Sequence, residues 1–303
     1  MPENKPVKIL LKSYKNLVEN NPLQMASSTA FFSTFSMPAI IIIMIQFLSI
    51  IFQPALVSEL VNQKLRNLLG NETREQVVNT LHAFESLATN KLVTITGFIF
   101  LLFVASTLFK IIKDSLNSLW SVKQVQKQSL VSQLSSRGKF ILFIIFAGFL
   151  LIAGIAGEEL RGLLEHRFDI VPQVLVLYFN GMLHYLFAIV VNSIWFIIIF
   201  RYLPDIRPPL KAVLPGALFT SLLYNAGKFI LHSLLTISKF TTLYGASASI
   251  MLLLLFVFYT SLILYFGASF TVEWTLQYYP KIQPVSGAAF FTKVTANRSE
   301  DEL

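Results

Sequence analysis

Residues 244–272 read YGASASIMLLLLFVFYTSLILYFGASFTV, with no charged side chain among them. At about 1.5 Å per residue such a run crosses a bilayer with some tilt. Backbone N–H and C=O groups find no water in the hydrocarbon region, so the run must be helical. Small and hydroxyl residues stand at both ends, Gly245 to Ser249 and Gly267 to Thr271, and such residues let helices approach closely in lipid. Trp274, Tyr278 and Tyr279 follow, which suits an exit at headgroup level.

The chain of 303 residues is 54% hydrophobic and 13% charged. Soluble domains carry about 25% charged residues, so the whole chain, and not one segment, reads as membrane protein. Cysteine is absent, which excludes thiol chemistry and zinc–thiolate sites. The N-terminus is a Lys-rich amphipathic segment, so no cleavable signal peptide is expected.

Residues 1–22 are expected to form an amphipathic interfacial helix. Val7, Leu10, Leu11, Tyr14, Leu17 and Val18 share one face, and Lys8, Lys12, Lys15 and Glu19 another. Residues 23–275 then form a transmembrane domain with spans at about 23–52, 92–112, 140–157, 181–203, 210–235 and 244–272. Pro38 should kink the first span. Thr29, Ser33 and Ser36 share a face there, read as hydroxyl-mediated helix packing. Residues 54–90 carry two amphipathic stretches around Gly70-Asn71, expected as an external helical hairpin. Residues 276–303 are expected as a polar, mobile tail. The fold class is therefore all-α and polytopic, with six transmembrane helices.

Lys and Arg set the orientation. One side holds Lys5, Lys8, Lys12, Lys15, Lys110, Lys113, Lys123, Lys127, Arg137, Lys139, Arg201, Arg207, Lys211, Lys281, Lys293 and Arg298. The other holds half as many: Lys64, Arg66, Arg74, Lys91, Arg161, Arg167, Lys228 and Lys239. The positive-inside rule then puts both termini in the cytoplasm, and loop charge accounts for most of the net +8 without nucleic acid.

Four blocks carry a family resemblance. The first span has Ala26, Ala30, Phe31, Ser36 and Pro38. The second-span exit has Ser106, Phe109, Asp114, Leu116, Asn117 and Trp120. The junction of spans four and five has Arg201, Tyr202, Leu203 and Pro204, then Leu214, Pro215, Gly216, Ala217, Gly227 and Lys228. The sixth span has Tyr244, Gly245 and Ala246, then Gly267, Ala268, Phe270 and Thr271. Together these resemble the YihY/BrkB family of six-span bacterial inner-membrane proteins, over about residues 7–275. Two positions depart from the pattern: Lys110 stands where a small or neutral residue is expected, and Tyr259 where Trp is frequent. The resemblance implies the bacterial inner membrane and brings suggested transport roles, including lipid translocation. It also carries a virulence or serum-resistance label and an older ribonuclease label.

The residues speak against a nuclease. His82, His166, His184 and His232 lie in different segments without metal-ligand spacing, and no Gly-rich phosphate loop exists. No catalytic residue, metal or cofactor is expected. Polar residues in or near the spans are better leads, because they are costly in lipid. Lys110 and Asp114 are four apart and can pair on one helix face, with Asn117 continuing that face. Asn192 lies midway along the fourth span. Asn225 and Lys228 lie in the fifth, Lys228 about 27 Å from its start and thus near the far interface. Lys110, Asp114, Asn117, Asn192, Asn225 and Lys228 are the candidate transport residues. For each the structural alternative is helix–helix hydrogen bonding or snorkelling of a long side chain to the interface.

The expected function is a transporter or lipid translocator acting on a small-molecule or lipid substrate. The alternative is a non-catalytic envelope scaffold working through residues 54–90. Membrane lipids are the expected partners, nucleic acid is not, and a homo-oligomer is left open.

Overall fold

The computed structural model describes residues 5–48, 50–52, 59, 91–125, 138–150, 152–154, 173–237 and 248–291. The expected hairpin at 54–90 lies outside these apart from Glu59. The helices are α1 (Lys5–Glu19), α2 (Pro22–Leu48), α3 (Lys91–Leu119), α4 (Gly138–Gly154), α5 (Gln173–Tyr202), α6 (Leu210–Ile237) and α7 (Ala248–Tyr278). Two short strands, β1 (Val122–Gln124) and β2 (Ala288–Phe290), pair antiparallel. Each of the helices α2 to α7 overlaps one of the expected spans. Among the described residues, two stretches are individually long and apolar enough to cross a membrane: Tyr185–Tyr202 and Met251–Tyr278. Helix α2 adds a third when its two halves count as one span.

Local chemistry sets the boundaries. Asn21 takes the left-handed conformation (φ 53°) that Asn tolerates, and ends α1. Its carbonyl accepts from Met25 N at 3.1 Å and so opens α2, with Pro22 in the first helical position where a missing N–H costs nothing. Ser121 (φ 51°) ends the turn after α3 in the same way. The halves Pro22–Met37 and Ala39–Leu48 of α2 meet at 52°, the kink expected where proline removes an N–H and crowds the preceding turn.

Helix α7 is the hub, packing on α6, α2, α1 and α3. Its contact with α6 depends on glycine. A Cβ on Gly267 would overlap the Thr220 side chain, and one on Gly216 would overlap Thr271. Each helix therefore gives a glycine to the other's threonine, and Gly227 gives room to Tyr259 in the same groove.

Buried hydroxyls join the remaining helices. Thr29 donates to the Met25 carbonyl at 2.9 Å, which leaves its oxygen to accept from Tyr265, fully buried on α7. Ser36 donates to the Val104 carbonyl of α3 at 3.1 Å, and Ser221 to the Ile189 carbonyl of α5 at 2.8 Å. Two of the three hydroxyl residues expected to mediate packing of the first span thus do so. Ile99, Phe100 and Phe103 on α3 and Phe31 and Phe35 on α2 are exposed, an apolar surface suited to lipid tails and not to water.

Two regions differ from the sequence expectation. Helix α1 docks on α7 through Ile9, Ser13 and Leu17, and Ser269 donates to the Ser13 carbonyl at 2.7 Å. Leu17, placed by periodicity on the lipid face, is buried, while Val7, Leu11, Tyr14 and Val18 are exposed. The helix therefore has a second face, spaced i, i+4, i+8, that protein covers. The segment after Pro280 is also not a free tail as far as residue 291. It runs back along the bundle, bridges Ile206 at Pro284, turns at Gly287 (φ 87°) and pairs with β1. Strand pairing satisfies its backbone where side-chain hydrophobicity gave no signal.

Candidate functional site

Helix α3 divides its last turns between two tasks. Leu108, Phe109, Leu116 and Leu119 are buried in the core. Ser106, Lys110, Lys113, Asp114 and Asn117 recur at spacings of three and four, so they form a polar stripe. The stripe faces the short loop between α5 and α6. In that loop Leu203 and Ile206 are buried anchors, and they hold Asp205 against α3.

Asp205 uses every polar group it has. Its carboxylate takes the Lys113 ammonium at 2.8 Å on one oxygen. The other oxygen accepts from the Asn117 amide at 2.8 Å and from Gln124 at 3.3 Å. Its backbone N–H donates to the Asn117 side-chain oxygen at 2.7 Å, and its carbonyl accepts from Val285 N at 2.9 Å. One residue thereby joins α3, β1 and the C-terminal strap. The Lys113 and Asp205 side chains are only 14% and 13% exposed, a setting in which a charge needs its partner.

Around this hub lies a cleft of about 540 Å³. Ser106, Thr107, Lys110, Lys113, Asp114, Asn117 and Ser118 line it from α3, Lys123 and Gln124 from β1, Phe140 from α4, and Phe291 from the strap. Ser106 and Thr107 both donate to the Phe103 carbonyl at 2.9 Å. Lys110 and Lys123 are exposed. With Lys113 and Asp205 neutralising each other, Lys110, Lys123 and Asp114 leave a positive balance. Asp114 is itself exposed at the cleft mouth, yet the protein packed around it pushes its carboxyl above the usual carboxylate range; Lys110 and Lys113 pull it back, and Asp205 adds to the rise.

The sequence candidates separate into two groups. Lys110, Asp114 and Asn117 meet in the cleft. Asn192, Asn225 and Lys228 do not line it. Asn192 is half-buried on α5, Asn225 donates to the Ser221 carbonyl of its own helix at 2.8 Å, and Lys228 is exposed on α6. Residues outside the candidate set complete the site: Asp205, Lys113, Lys123 and Gln124. The available signal for Asp205 was its setting, an acid in a proline-flanked connection between two long apolar helices. Among the described residues no group of three or more His, Asp or Glu could hold a metal ion.

The profile of the family described as virulence factor BrkB matches residues 13–289, which takes in α2 to α7 and β1. The chain belongs to the virulence factor BrkB family. Curated relatives are UPF0761 membrane proteins. One from Pseudomonas paraeruginosa is 25% identical over 204 residues, 64% of this chain and 45% of the relative. One from Pseudoalteromonas translucida is 25% identical over 188 residues, 59% of this chain and 57% of the relative. The matched stretch thus spans about half the length of these relatives. No solved structure matches. The BrkB family assignment, with the apolar helices, makes this a polytopic α-helical membrane protein.

Proposed function

We propose that this BrkB-family protein is a non-enzymatic transporter or lipid translocator of the bacterial inner membrane. It crosses the membrane six times through α2 to α7, with both termini in the cytoplasm. The observation that carries the reading is the cleft at the basic end of the bundle. It is open, lined by polar side chains and net positive, while the described helices also expose apolar residues such as Ile99, Phe100 and Phe103. Exposed lysines beside an amide and a carboxylate suit an anionic, hydrogen-bonding headgroup. The Ser106 and Thr107 hydroxyls that line the cleft are engaged with their own helix, so binding fits better than bond cleavage. The test is reconstitution into liposomes with headgroup-labelled fluorescent phospholipid. Transfer between leaflets above protein-free liposomes supports translocation, and transfer at the protein-free rate argues against it.

A further inference from the structure

The α5–α6 loop has a second charged side. Asp205 is engaged toward the cleft, while Arg201 and Arg207 line a separate groove of about 540 Å³ with Lys281, Pro208, Pro209 and Tyr279. Among the described residues three cations line this groove and no carboxylate does. Arg207 and Lys281 are exposed, and Arg201 is half-buried with its guanidinium 5.6 Å from the Tyr202 ring centre. Pro209 directly precedes α6, whose first turn adds the positive end of a helix dipole.

The geometry points to a binding site for the phosphate of an anionic phospholipid headgroup, held by Arg201, Arg207 and Lys281. Two observations favour a phosphate carried on lipid. Leu210 and Leu214 continue from the groove along α6 as exposed apolar residues, one turn apart, and Leu276 on α7 is exposed as well. Acyl chains can lie there while the phosphate sits among the cations. Tyr202 and Tyr278, next in sequence to the lining residues Arg201 and Tyr279, are both exposed, as aromatic residues are at the level of lipid headgroups. Arginine adds a planar fork that takes two phosphate oxygens at once. This site is distinct from the cleft and does not depend on transport.

The test is lipid retention by the purified full-length chain in non-ionic detergent, read by native mass spectrometry. Phosphatidylglycerol is compared with phosphatidylcholine of the same acyl chains, with and without millimolar inorganic phosphate. The wild type is expected to retain phosphatidylglycerol preferentially and to keep that preference in phosphate. Each basic residue at an anionic surface contributes about fivefold, so Arg207→Gln/Lys281→Gln should lower the preference by at least about tenfold. Arg207→Lys should retain most of it. An unchanged preference in Arg207→Gln/Lys281→Gln, or none in the wild type, overturns the site. Full displacement of lipid by inorganic phosphate overturns the lipid assignment.

Discussion

Lys113 on α3 and Asp205 in the α5–α6 loop form an ion pair at 2.8 Å, both side chains largely shielded from solvent. Removing one partner of such a pair leaves an uncompensated charge and typically costs about 3–5 kcal/mol. Asp205→Ala should therefore lower the unfolding midpoint in detergent clearly. Lys113→Met/Asp205→Leu should lose less than the sum of the single changes. A double-mutant cycle of thermal melts measures this, and additive losses would show that the pair does not couple.

The glycine–threonine exchange between α6 and α7 gives a second outcome. Gly267→Ala places a methyl where the Thr220 side chain stands, and overpacking of this kind costs about 1–3 kcal/mol. Nothing lies within 4 Å of a Cβ on Gly154, so Gly154→Ala should be neutral or stabilising through helix propensity. Thermal melts that rank the two variants in the opposite order would contradict the packing.

Asp114 supplies a pH signature. Its folded-state carboxyl titrates above its unfolded value of 3.8, because burial disfavours the charged form. The folded chain therefore holds this proton more tightly than the unfolded chain. The contribution is favourable at low pH and is lost as pH rises from that value through the folded one. Asp114→Asn should remove this part of the decline. Melting curves of both proteins from about pH 3.5 to 6.5 test it, in the range where carboxylates titrate, and parallel profiles would contradict it.

Orientation is checked with single cysteines, since the chain has none of its own. Lys123→Cys, at the exposed position of β1, should react with a membrane-impermeant maleimide only after the membrane is opened. Asn71→Cys should react from outside in intact cells. External labelling at 123 would reverse the topology.

Much of this architecture was legible in the sequence because lipid imposes one rule: long apolar runs become helices. The kink of α2, the hydroxyl packing of Thr29 and Ser36 and the central place of the last apolar run follow from that rule. The strap after Pro280 did not, because its order comes from backbone pairing with β1 and not from side-chain pattern. The site was half legible. Lys110, Asp114 and Asn117 share one helix, so their spacing brings them together. Asp205 reaches them across 88 residues from Asn117, a long-range contact that periodicity does not encode. Asn192 and Asn225 are amides within long apolar helices. Asn225 instead bonds to its own helix.

The claim that the basic cleft handles the substrate is tested most directly by lipid transfer rates in liposomes. Wild type is compared with Lys110→Gln/Lys123→Gln and with Lys228→Ala, which lies away from the cleft. The cleft account predicts transfer well above protein-free liposomes for wild type and Lys228→Ala. It predicts a fall of about tenfold or more in the double variant, the order expected for losing two charge-assisted contacts. Wild-type rates in the double variant, or no transfer by any of the proteins, would contradict it.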